Sequence, residues 1–137
     1  MKTVEDIILG FDQRNIASLR KYLPVNFCAK ASHLILKNPG TVLIATGFYI
    51  LAGGAAETDG PPGAIALGDA LSSLGYRVFY ITDKYSFPFV EAISKNNKVI
   101  EFPICSHQES KQFARETLDK YKPSVLISIE RCGFTEK

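Results

Sequence analysis

Along the first forty residues apolar side chains recur every three or four positions, and beyond them the period changes. Val4, Ile7, Ile8 and Phe11 share one helical face, as do Ile16, Leu19 and Leu23. Pro24 interrupts that pattern, an amphipathic segment over 25–37 follows, and Asn38-Pro39-Gly40 is a turn signal that ends it. Residues 41–46 are a continuous apolar run rich in β-branched side chains, the pattern of a strand buried on both faces. A glycine-bearing loop over 47–60 leads to Pro61-Pro62, which open a helix where missing N–H groups cost nothing. Leu67, Leu71 and Leu74 form the buried stripe of that helix and Gly75 is its stop. A second strand over 78–82 closes at Asp83, and Ser86 is positioned to cap a short helix that runs to Lys95 with Pro88 in its first turn. A third strand spans 99–102. Ser106 and Glu109 make a capping box that opens a helix through Phe113, Leu118 and Tyr121. Lys122-Pro123 ends it, and a fourth strand spans 124–129. Strands alternating with helices this closely imply right-handed crossovers. The expected fold is a Rossmann-like three-layer α/β/α domain over 41–137, with a mainly parallel sheet and a helical N-terminal extension over 1–40.

Composition narrows the field of functions. The chain has 137 residues, 46% of them hydrophobic and 22% charged, which suits one globular domain and excludes disorder or a coiled coil. A chain of this size buries roughly 70% of its unfolded surface, so a core forms without staples. Lys and Arg number 16 against 14 Asp and Glu, and no basic stretch stands out, so a nucleic-acid partner is not expected. The apolar stretch from Thr41 to Ala56 is broken by glycines, so no membrane span is expected. Glu5 and Asp6 interrupt the apolar core that a signal peptide needs. Three scattered cysteines and two histidines argue against a zinc site and fit a reducing, cytoplasmic compartment. A mitochondrial matrix location would require a transit segment outside this chain.

In an open parallel sheet, ligands bind beyond the carboxyl ends of the strands. Three such ends bring acids to one rim: Glu57 and Asp59 after the first strand, Asp83 after the second, and Glu130 beside Arg131 after the fourth. Glu57-Thr58-Asp59-Gly60-Pro61-Pro62-Gly63 is the densest feature. Alternate carboxylates in extended chain point to one side, so Glu57 and Asp59 can share a cation or divide acid and base roles. The helix behind them begins with N–H groups that favour an anion. The plainer reading is that Thr58 or Asp59 caps that helix. Asp83 lies about twenty residues past the glycine-rich turn, where dinucleotide-binding proteins place a ribose-binding acid. With no Gly-x-Gly-x-x-Gly and no Gly-Lys-Ser/Thr, no nucleotide cofactor is expected, and Asp83 reads equally as a strand-end cap. Glu130-Arg131 reads as a ligand contact or as an ion pair. His33 and His107 read as structural or solvated, Cys132 lacks a nearby histidine base, and Gly53-Gly54 reads as loop flexibility or a lid.

Thr46-Gly47-Phe48, the string from Glu57 through Ala64, Leu74-Gly75, Asp83 and Ser128-Ile129-Glu130-Arg131-x-Gly133 together resemble the D-glutamate cyclase C-terminal family. The Glu-Thr-Asp-Gly-Pro-Pro-Gly string is the specific part. Cys132 departs from the family pattern, which has proline or another small residue there. The resemblance implies a lyase that cyclises D-glutamate to 5-oxo-D-proline with loss of water, with Mg²⁺ or Mn²⁺ at the acidic rim. Members run on through a second glycine- and aspartate-rich motif containing Asn-Glu. By that comparison the chain is the N-terminal part of the domain, a truncated product, a fragment or one piece of a split protein, weak or inactive alone, and a further chain could supply the remainder. The roles that follow are Asp59 as base, Glu57 and Glu130 as metal ligands or acid/base groups, and Arg131 as the clamp on a substrate carboxylate. Glu57 and Asp59 are the metal pair, and Thr58, Gly60, Gly63 and Asp83 are substrate-binding. The expected partner is a small acid such as D-glutamate, with a homo-oligomer allowed. Two rival readings keep the same rim: a divalent-metal enzyme acting on a phosphorylated small molecule, and a non-catalytic half that awaits a partner.

Overall fold

A computed structural model describes residues 2–10, 12, 13, 15–95, 97–131 and 133. It divides into two compact units, Met1–Pro39 and Gly40–Lys137. The first holds helix α1 (Val4–Ile8), a 3₁₀ helix (Ile16–Tyr22) and α2 (Phe27–Leu36). Thr3 and Asp6 form a capping box on α1. Polar contacts tie these short elements together. Glu5 is buried and its carboxylate accepts the Cys28 N–H at 2.9 Å, while Asp12 accepts the N–H groups of Ile16 and Ala17. The apolar stripe expected of the first helix stays in solvent: Val4, Ile7 and Ile8 are all more than half exposed. Phe11, its fourth member, lies outside the described residues.

The second unit contains a four-stranded parallel sheet: β1 (Thr41–Thr46), β4 (Arg77–Asp83), β5 (Lys98–Phe102) and β6 (Val125–Ile129). A separate hairpin pairs β2 (Tyr49–Ile50) with β3 (Ala55–Ala56), a feature that the sequence reading leaves as loop. The main sheet runs β5-β4-β1-β6. Numbered by sequence among the parallel strands this is 3-2-1-4, the order of one half of a Rossmann sheet plus the first strand of the next. Helices α3 (Gly60–Ser73), α4 (Phe87–Ile93) and α5 (His107–Tyr121) make the crossovers.

Successive side chains of β4 show which helix lies on which face. Tyr80 meets α3, its hydroxyl donating to the Ile65 carbonyl at 3.4 Å. Phe79 points the other way and packs on Tyr121 of α5, with ring centroids 4.6 Å apart. Phe102 of β5 meets Phe113 of the same helix. The sheet is therefore covered on both faces, as a three-layer Rossmann-like domain requires. Val42, Leu43 and Ile44 of β1 are fully buried because β1 is central and sandwiched. β6 lies at the edge of the sheet, and its Leu126, in register with Leu43, is 63% exposed. Among the described residues no helix is long and apolar enough to cross a membrane.

Candidate active site

β1 and β6 are neighbours at the point where the strand order reverses, the place where open parallel sheets bind ligands beyond the carboxyl ends of their strands. Two polar groups occupy that edge. β1 ends at Thr46, and Gly47 follows with φ +109°, a conformation that side chains rarely adopt. A Cβ on Gly47 would sit 2.5 Å from Thr82 Oγ1 and 2.8 Å from Ser86 Oγ, so bulk excludes a side chain there as firmly as backbone angle does. The chain then makes the β2–β3 hairpin, turns at Gly53-Gly54, and returns through a 2.7 Å hydrogen bond from Glu57 N–H to the Phe48 carbonyl. That return delivers Glu57 and Asp59 to the edge.

Asp59 caps α3, its Oδ1 accepting the Gly60 N–H at 3.0 Å. This end of the helix offers no free donor to an anion. Pro61 and Pro62 carry no N–H, and the Gly63 N–H is bonded to the Asp59 carbonyl. The expected anion site at the α3 terminus is corrected accordingly. Gly60 is buried directly against Glu130, and a Cβ there would lie 2.8 Å from Glu130 Cβ. Glu130 has φ 47°, a left-handed conformation at the end of β6 that is costly for a residue with a side chain. The bend lets adjacent residues serve different groups. Glu130 joins Glu57 and Asp59, with one carboxylate oxygen from each residue within 4.8 Å of the others. Arg131 Nη1 instead donates to the Gly47 carbonyl at 3.0 Å and pairs with Asp83 Oδ2.

Asp83 thus stands apart from the three clustered acids. It is buried at 7% exposure, and its Oδ1 accepts the N–H groups of Tyr85 and Ser86 at 2.9 and 3.2 Å. Burial by itself pushes its pKa up. The bond from Arg131 and the two backbone donors outweigh burial and hold the carboxyl below its ordinary value. Ser86, expected as a helix cap, makes no capping bond with its side chain. Its hydroxyl and those of Thr46 and Thr82 are buried without a partner among the described residues, a set the sequence does not announce because threonine in a strand reads simply as a β-former. Of the remaining candidates, Thr58 is exposed and Gly63 faces open space. His33 and His107 are exposed on helices. Cys132 lies outside the described residues.

The cluster of three suits a hard divalent cation. It presents only carboxylate oxygens, the donor type that Mg²⁺ and Mn²⁺ prefer. Glu57, half-buried, and the exposed Asp59 and Glu130 would hold such an ion, and Glu130 extends the pair expected from sequence.

The sequence pattern described as "D-glutamate cyclase-like, C-terminal" matches residues 6–137. The chain belongs to that family. No curated protein and no solved structure matches it. Within the D-glutamate cyclase-like family pattern, the Glu57–Gly63 string builds the acidic cluster together with Glu130.

Proposed function

We propose that the chain forms the catalytic rim of a D-glutamate cyclase, closing D-glutamate to 5-oxo-D-proline with release of water. The supporting observation is the gathering of Glu57, Asp59 and Glu130, with Arg131 next to Glu130 in sequence and its guanidinium held by Asp83 and the Gly47 carbonyl. In the reaction the α-nitrogen attacks the side-chain carboxyl carbon, a C–N bond forms, a C–O bond breaks, and the departing oxygen leaves as water. The α-ammonium must first lose a proton, and three neighbouring carboxylates both attract the ammonium and supply the base. Asp59 takes that role, with Glu57 and Glu130 returning protons to the departing oxygen. Arg131 binds the carboxylate that does not react. A Mg²⁺ or Mn²⁺ ion on the three acids would polarise the carboxyl under attack. Ring closure is intramolecular, so holding the substrate folded accounts for much of the acceleration.

The absence of a free donor at the start of α3 makes a phosphorylated substrate the weaker reading. The test is incubation with D-glutamate, with and without Mg²⁺ or Mn²⁺, following 5-oxo-D-proline by chiral mass spectrometry. Product is expected, with turnover falling about a hundredfold or more in Asp59→Asn. No product under any of these conditions would overturn the reading.

A further inference from the structure

The hydroxyls of Thr46, Thr82 and Ser86 are orphans. The three residues are 0–1% exposed, and none of these oxygens has a hydrogen-bond partner among the described residues. Buried polar groups without partners cost free energy, so an orphan in a native site needs an explanation. One such hydroxyl would be unremarkable, but these three converge on one residue. Thr82 Oγ1 and Ser86 Oγ crowd the α-carbon of Gly47. Thr46 directly precedes Gly47 and lies one step beyond the Ala45–Ile81 register pair, beside Thr82. The carbonyl of the same glycine takes Nη1 of Arg131. Arg131 makes no other bond besides its pair with Asp83 among the described residues, so Nη2 and Nε remain available.

Hydroxyl donors and an open guanidinium edge gathered around a glycine that admits no side chain have the chemistry of a carboxylate-binding subsite. The next residue along the chain, Glu130, belongs to the acidic cluster. A positive, donor-rich subsite beside a negative one matches the head group of an α-amino acid, whose carboxylate and ammonium sit on the same carbon. We propose that Thr82, Ser86 and Arg131, with Thr46 behind them, bind the α-carboxylate of the substrate, while Glu57, Asp59 and Glu130 receive its ammonium. This rests on the cyclase reading for the identity of the substrate, and it adds three hydroxyls to the arginine which that reading assigns to the α-carboxylate. The hydroxyls are closed to solvent in this conformation. Tyr49 and Tyr85, close in sequence to Gly47 and Ser86, stack with centroids 4.8 Å apart.

Norvaline carries the α-amino acid head group but no side-chain carboxylate, so it cannot cyclise. Its binding to the full chain, measured by calorimetry in racemic form, therefore reports the head-group site alone. The wild-type chain is expected to bind it. The near-isosteric double variant Thr82→Val/Ser86→Ala is expected to bind at least tenfold more weakly while melting no lower than wild type, because the orphan hydroxyls are gone. Arg131→Lys is expected to weaken binding as well, because a lysine ammonium cannot reproduce the planar fork. Failure of the wild type to bind norvaline, or a double variant that binds within twofold of wild type, would overturn the subsite. If norvaline behaves as expected and D-glutamate yields no 5-oxo-D-proline, the cyclase reaction falls and the subsite stands.

Discussion

Gly60 and Glu130 show how one missing side chain and one unusual backbone angle assemble an acidic cluster. Glu130 reaches Glu57 and Asp59 because its left-handed conformation turns the chain at the end of β6 and because Gly60 leaves room for it. Gly60→Ala is expected to push Glu130 out of the cluster, since a Cβ contact at 2.8 Å leaves no slack. A cation that binds only the folded chain raises its Tm. Melting curves with and without millimolar Mn²⁺ are therefore expected to show an upward shift for wild type and none for Gly60→Ala. Asp83 gives a prediction of the opposite kind, about stability. Its carboxyl is held below the ordinary carboxylate value, so it contributes stability at pH values above its unfolded pKa of about 3.9. That contribution is lost as pH falls through the lowered folded value. Urea unfolding is expected to find Asp83→Asn less stable than wild type at pH 6, with the gap closing below about pH 4. At this scale the sequence showed which acids belong near the rim. It did not show that Asp83 would take Arg131 while Glu57 and Asp59 took Glu130. That partition depends on the φ of Glu130, which no neighbouring residue type announces.

Elements with a strong local signature formed where their sequence placed them. β1 is a run of apolar and β-branched residues, and it became the most buried strand. Ser106 and Glu109 satisfy each other's backbone donors at the start of α5, as their spacing requires. Elements without such a signature were harder to read. The β2–β3 hairpin has two residues in each strand, too few for alternation to show. The apolar stripe of α1 is real in sequence yet remains exposed, because periodicity says which face is apolar and not whether anything covers it. α3 and β4 approach closely at Gly68. A Cβ on Gly68 would fall 2.0 Å from the Tyr80 hydroxyl, and Tyr80 is wholly buried. Gly68→Ala is therefore expected to destabilise the α/β domain by about 3 kcal/mol through overpacking, despite the better helix propensity of alanine. Chemical denaturation would measure this, and a change under 1 kcal/mol would show that α3 can shift away from the sheet.

For the α/β domain as a whole, the deciding fact is the strand order. Periodicity, turn residues and caps determined that this chain would alternate strands with helices, that the strands would lie parallel, and that acids would follow their carboxyl ends. Each of those properties is local, set by a few consecutive residues and their hydrogen-bonding needs. Tertiary structure alone decided that β1 and β6, more than seventy residues apart in sequence, would be neighbours. That pairing carries Glu130 to Glu57 and Asp59 and Arg131 to Gly47. The β1–β4 pairing likewise brings Thr46 beside Thr82, in a buried group with Ser86 that no spacing in the sequence marks. The physical reason is that side-chain periodicity records which face of an element is buried, whereas the sheet order follows from how whole faces are covered. A site built from the ends of several strands exists only once that order is set.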